Sequence, residues 1–142
     1  MLIKRSLLDA INKELRGDPK VILLYGPRQS GKTTLIQRVL HDYDASGVLM
    51  LNGDDIRTQE ALSVPNADRL RAVIGDAALV VIDEAQRISN IGIVLKLLFD
   101  MLHIPIIASG SSSFDLAQKA SEPLTGRATT MTLYPLSFLE LP

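Results

Sequence analysis

The chain has no cysteine and no tryptophan, only three tyrosines and three phenylalanines, and a formal net charge of -1. Each shortage removes a class of function. Without cysteine there is no disulfide framework and no thiolate metal site, and a reducing, cytoplasmic compartment is the expectation. Few aromatics and no basic stripe leave neither a stacking platform nor an electrostatic track for nucleic acid. The short cluster of Lys4 and Arg5 reads as a solvated helix face. His41 and His103 are the only histidines, and neither has a partner at metal-ligand spacing. No apolar run is long enough for a membrane span, which needs about 20 mostly uncharged residues. The most apolar stretch, "IGIVLKLLFDMLHIPIIASG", is broken by Lys96, Asp100, His103 and Pro105, and reads as a buried helix followed by a buried strand. The opening "MLIKRSLLDAINKELR" lacks the apolar core and small-residue cleavage site of a secretory signal.

What is present is ordinary globular chemistry. A length of 142 residues with 46% hydrophobic composition suits one domain with one core. Leu7, Leu8, Ile11 and Leu15 recur at helical spacing, so residues 1–18 are expected to carry an amphipathic helix ahead of a core spanning 20–142. "KVILLY", "GVLMLN", "ALVVID", "IPIIAS" and "TTMTLY" are strand candidates. Helical patterns lie between them: "TTLIQRVLHDY", "IRTQEALSV", "ADRLRAVIGD", "NIGIVLKLLFDML" and "SFDLAQKA". Continuous branched runs suit strands covered on both faces, and the alternation implies an α/β fold with a mostly parallel five-stranded sheet and helices on both faces. The chain's apolar end, "TLYPLSFLELP", suggests a domain of a longer protein.

"YGPRQSGKTTL" carries the sharpest chemical signal. Gly26, four residues, Gly31, Lys32 and Thr33 match the phosphate-loop spacing, with a strand expected before them and a helix after. Glycines let the backbone turn tightly, so that successive N–H groups point inward as an anion cradle. The following helix presents its positive end to the same phosphates. Treating positions as independent, a chance match in this length is on the order of half a percent, which disfavours an accidental glycine turn. The reading assigns nucleotide binding to Gly26, Pro27, Arg28, Gln29, Ser30, Gly31, Lys32, Thr33 and Thr34, with Lys32 reaching the β- and γ-phosphates and the Thr33 hydroxyl a ligand of Mg2+.

"ALVVIDEAQR" supplies a matching acidic pair. Asp83 falls at the end of a strand, where open α/β sheets bind ligands, and can hold Mg2+ beside Thr33. Glu84 can orient or deprotonate an attacking water. Ser111 in "ASGSSS" can contact the γ-phosphate or that water, with Ser109 a weaker choice and Ser112 and Ser113 read as helix caps. Arg127 in "LTGRATT" is a candidate arginine finger, acting in its own subunit or in a neighbour. Gln86 and Arg87 are candidate relay or interface residues. Asp54 and Asp55 suit helix capping better than a site.

"GPRQSGKTT", "LVVIDEAQR", "IIASGSSSFDL", "LTGRA" and "YPLSFLEL" occur here in that order. From about Lys20 to Leu141 the chain resembles the N-terminal ATPase domain of a family of prokaryotic AAA-type P-loop ATPases. The resemblance implies a three-layer P-loop core with sheet order 5-1-4-3-2, an order that periodicity does not reveal. It assigns Lys32 and Thr33 to the phosphate-loop roles, Asp83 and Glu84 to the acidic pair, Ser111 to the sensor position on the fourth strand, and Arg127 to the arginine of a "GR" element. It also implies a C-terminal domain of poorly defined function, which with a homo-oligomer is the expected partner. No helical lid with a sensor arginine is evident, so weak activity is expected of this segment alone.

The expected function is therefore Mg2+-dependent ATP binding and hydrolysis, coupling nucleotide state to a C-terminal domain or partner. An ATP-binding switch with negligible turnover and a small P-loop kinase are the alternatives. The acidic pair suits water better than a second substrate, and no arginine-rich lid favours the kinase. A GTPase fits less well: the only "NK", Asn12-Lys13, has Leu15 where guanine recognition needs an acid.

Overall fold

The computed structural model describes residues 2–26, 31–41, 47–111 and 123–133, with side chains from Leu7 onward. Helix α1 (Leu2–Arg16) leads into β1 (Val21–Tyr25), and α2 (Lys32–His41) follows the glycine-rich loop. Then come β2 (Val48–Asn52), α3 (Ile56–Leu62), α4 (Ala67–Ile74) and β3 (Leu79–Asp83). A single 3-10 turn (Ala85–Arg87), α5 (Ile91–Leu102), β4 (Ile106–Gly110) and β5 (Ala128–Thr132) complete the described elements.

The five strands form one sheet in the order β2-β3-β4-β1-β5, and every neighbouring pair is parallel. This is the expected order read from the other edge. β4 lies between the phosphate-loop strand β1 and the acidic strand β3, pairing Val21 with Ile106 on one side and Val80 with Ile106 on the other. β1 and β4 are buried at all five positions, as their continuous apolar runs require. The edge strands β2 and β5 are only partly covered and alternate in exposure.

Alternate strand residues feed two cores, one on each face. Val21, Leu23, Val80, Ile82, Ile106 and Ala108 pack with Leu62, Leu70, Ile74, Val94, Leu95 and Leu98 from α3, α4 and α5. Ile22, Leu24, Val81 and Ile107 pack with Leu35, Ile36 and Val39 of α2 and with Ile11 of α1. The result is three layers: helix, sheet, helix. Residue periodicity placed Leu7, Leu8, Ile11 and Leu15 on one face, and all four contribute to this second core. Ile11 is fully buried there, so α1 is part of the packed unit. Ile11→Ala is expected to cost about 2–5 kcal/mol of stability, read as a lower urea midpoint. No helix among the described residues is long and apolar enough to cross a membrane.

The helix expected at "SFDLAQKA", the caps expected at Ser112 and Ser113, the loop residues Pro27 to Ser30 and the terminal "YPLSFLEL" lie outside the described residues. β5 spans Ala128–Thr132, one residue earlier than "TTMTLY" suggests, because its pairing with β1 begins at Ala128 opposite Val21.

Candidate functional site

The loop, the acidic pair and the end of β4 meet at the C-terminal edge of the sheet. β1 ends at Tyr25, and the Gly26 N–H donates to the Gly110 carbonyl at 3.2 Å, tying the start of the glycine-rich loop to the end of β4. Gly31 has φ of 91°, a conformation that disfavours any side chain, and its carbonyl accepts from Leu35 N–H at 2.8 Å as α2 begins. Lys32 is the first residue of that helix and is buried, whereas Thr33 and Thr34 are exposed. Thr34 instead lines an open groove of about 520 Å³ with Gln37, Arg38 and His41.

Asp83 is held by its first oxygen. Ser109 Oγ donates to Oδ1 at 2.6 Å, and the Glu84 N–H donates to the same atom at 3.0 Å. Ser109, the weaker serine in the sequence reading, is fully buried and fixes this carboxylate. Among the described residues Oδ2 accepts no bond, which leaves it for a cation. Two hard oxygen donors, the Thr33 hydroxyl and this carboxylate, fit Mg2+, which takes one or two protein oxygens and completes its shell with water and phosphate. Among the described residues no group of three or more histidine, cysteine or acidic side chains could hold a metal by itself.

Glu84 begins the turn with φ of 50° and ψ of 45°, a left-handed conformation that costs a non-glycine residue about 1–3 kcal/mol. It aims the side chain back across the sheet edge. Lys32 Nζ lies 3.8 Å from Oε1, with the two side chains 5% and 13% exposed. Ser111 Oγ donates to Oε2 at 3.0 Å, and Gln86 Nε2 donates to the same oxygen at 2.7 Å. Lys32, Asp83, Glu84 and Ser111, assigned from three separate motifs, therefore meet in one place.

Arg127 does not join them in its own chain. It precedes β5, and its carbonyl accepts from Val21 N–H at 2.9 Å, so it sits at the N-terminal edge of the sheet. A five-residue strand at about 3.3 Å per residue separates it from the site edge by roughly 16 Å. Its guanidinium binds Asp100 with two bonds, Nε to Oδ1 at 2.7 Å and Nη2 to Oδ2 at 3.1 Å. The finger role within its own subunit is thereby corrected. These hydrogen bonds, reinforced by the charges of Arg127, Lys96 and His103, hold the Asp100 carboxyl below its usual range, against a weaker desolvation effect. A carboxylate lowered on folding adds stability above its unfolded pKa and loses it as pH falls through the folded one. Asp100→Asn should thus lower the urea midpoint at pH 7, with the difference from wild type narrowing below about pH 4.

Sequence reasoning missed Gly53. Its N–H donates to the Asp83 carbonyl at 2.7 Å, and a Cβ there would collide with the Glu84 carbonyl oxygen and lie 2.8 Å from its carbon. The signal was available in "LNGDD", a glycine directly after a strand, which marks a close backbone approach. Gly53→Ala is expected to cost about 1–3 kcal/mol of stability by overpacking and to lower nucleotide turnover by displacing Glu84, measured on matched samples. Asp55 caps α3 through Arg57 N–H at 2.8 Å, as the capping reading requires, and Asp54 pairs with Arg87 at 3.4 Å on the surface.

A parallel sheet with a strand inserted between a phosphate-loop strand and an acidic strand defines a P-loop nucleoside-triphosphatase domain. Within that class the chain belongs to the AAA domain family, whose model matches residues 18–141. It is 36% identical over 139 residues to an uncharacterized protein of Mycobacterium tuberculosis, covering 96% of this chain and 30% of that protein. It is 31% identical over 144 residues to an uncharacterized protein of Methanocaldococcus jannaschii, covering 94% and 30%. The replication factor C large subunit of Methanococcus maripaludis is 38% identical over 90 residues, 61% of this chain and 18% of that protein. The solved Walker-type ATPase of Pyrococcus abyssi shares the fold, with a TM-score of 0.65 at 16% identity over 94% of this chain and 54% of that one. The chain thus spans about 30% of the length of the first two relatives. Family and fold together make it an ATP-binding P-loop domain of the AAA type.

Proposed function

We propose that the domain binds ATP with Mg2+ and hydrolyses it, and that its nucleotide state drives a C-terminal region or a partner subunit. The observation that carries this reading is the approach of Lys32 to Glu84 at 3.8 Å, beside a carboxylate whose second oxygen accepts no bond among the described residues. A cation for phosphate, a carboxylate for metal and a carboxylate for water are the three charges that phosphoanhydride hydrolysis needs.

In this reading the backbone from Gly26 to Gly31 cradles the phosphates, and Thr34 continues the contact surface. Lys32 neutralises charge on the β- and γ-phosphates. Thr33 and Asp83 hold Mg2+, which when bound polarises the γ-phosphate and offsets developing charge. Glu84 orients and deprotonates the attacking water, and Ser111 senses the γ-phosphate or that water. The similarity to replication factor C large subunits, named as parts of an assembly, favours an oligomer. In such an oligomer Arg127 could serve only a neighbouring subunit. The cysteine-free composition favours a cytoplasmic setting.

The test is ATP calorimetry with and without Mg2+, with phosphate release followed in the same samples. Micromolar binding strengthened by Mg2+ and accompanied by release supports the reading. Binding without release would leave the nucleotide-switch alternative, and release only when a second hydroxyl substrate is added would favour a kinase. A folded sample that binds no ATP would sink it.

A further inference from the structure

Gln86 is the second residue after Glu84, and it is only 7% exposed. Burying a primary amide is costly unless it is hydrogen-bonded, so a glutamine at this position calls for a reason. The left-handed Glu84 supplies one. It folds the chain into a tight turn, closed by Arg87 N–H to Glu84 carbonyl at 3.1 Å and Ile88 N–H to Ala85 carbonyl at 3.0 Å. That turn brings the Gln86 amide back over the site. Nε2 donates to Glu84 Oε2 at 2.7 Å and reaches Ser111 Oγ at 3.4 Å, while Ser111 Oγ donates to the same Oε2 at 3.0 Å. The three atoms form a closed triangle joining the β3 end to the β4 end.

We propose that Gln86 is a positioning residue for hydrolysis, one that fixes the Glu84 carboxylate and the Ser111 hydroxyl in a single frame; this rests on the ATPase reading above. Glu84 is held at both oxygens, by Lys32 at Oε1 and by the amide and hydroxyl at Oε2. A γ-phosphate competes for the lysine. Once Lys32 turns to the phosphate, the Oε2 contacts are what keep the carboxylate aimed at water. An amide suits this task because it donates without adding charge and without a titrating proton. A lysine at the same place would neutralise the base, and a carboxylate would repel it.

Two measurements on the purified full chain test this. The first needs no turnover. A double-mutant cycle of Gln86→Leu and Glu84→Ala, read by urea unfolding, should show non-additivity of at least fivefold in the unfolding constant, about 1 kcal/mol. Additive effects would overturn the proposal. The second is kinetic. Gln86→Leu should lower kcat 10- to 100-fold while KM and the calorimetric Kd for ATP change less than threefold. Gln86→His, assayed at about pH 8.5 where a neutral imidazole still offers an N–H donor of similar reach, should recover most of that loss. Wild-type turnover that Glu84→Gln abolishes but Gln86→Leu leaves intact overturns this proposal alone. A kcat loss matched by lost ATP affinity also overturns it, in favour of a packing role. Absence of turnover in wild type overturns the hydrolysis reading, and this one with it.

Discussion

Glu84→Gln is expected to lower ATP turnover by about 10²- to 10⁴-fold, the usual contribution of a positioned general base. The variant keeps nearly the same shape. A glutamine carbonyl can still accept from Gln86 and Ser111, so the left-handed turn and the Ser111 contact should persist. What disappears is the negative charge 3.8 Å from Lys32. That charge competes with phosphate for the lysine, so ATP affinity should be at least as high as in wild type. Single-turnover phosphate release together with calorimetry separates the two effects. Loss of binding in step with turnover would mean that Glu84 supports the site's architecture and not its chemistry.

Lys32→Ala is expected to have the opposite signature. It should weaken ATP binding 10- to 100-fold, about 1.4–2.7 kcal/mol, and reduce turnover further. Two costs combine here. The phosphates lose their point charge, and Glu84 then meets the incoming anion as an unneutralised, nearly buried carboxylate. Glu84→Gln in the Lys32→Ala background removes the second cost, so the double variant should bind ATP more tightly than Lys32→Ala alone. Lys32→Arg should not restore wild-type behaviour, because a planar fork cannot occupy the place of a compact ammonium. Calorimetry on the four proteins reads all of this directly.

Much of this site could be read along the chain, because local spacing encodes local geometry. The interval from Gly26 to Thr33 predicts an anion cradle where a strand precedes it and a helix follows, and that strand and that helix are found. The apolar run ending in Asp83 puts a carboxylate at a strand's C-terminal end for equally local reasons. Sheet order is not local. Nothing in the periodicity of "IPIIAS" says that it lies between β1 and β3; that came from the family resemblance. Ser109 and Ser111 depend on that placement, since only a strand inserted there brings one serine to each carboxylate. For Arg127 a local signal disfavoured the role within its own subunit. A residue that precedes a parallel strand lies at the edge away from the ligand, and its partner Asp100 stands 27 residues earlier, on a helix running the other way. Gln86 was singled out, but its amide contact depends on the backbone angle of Glu84, which no residue type in "DEAQR" demands.

The end of β4 sets a strict limit on insertion and deletion. Three consecutive residues there each serve a different part of the machinery: Ser109 for Asp83, the Gly110 carbonyl for Gly26, and Ser111 for Glu84. Because successive strand residues point to opposite faces, a shift of β4 by one position would set glycine where hydroxyls are needed and spoil all three contacts together. The connection between α5 and β4, residues 103–105, therefore behaves as a measured spacer. Its length should be far less free to drift among relatives than that of the turn between α3 and α4, which aligns nothing at that edge of the sheet.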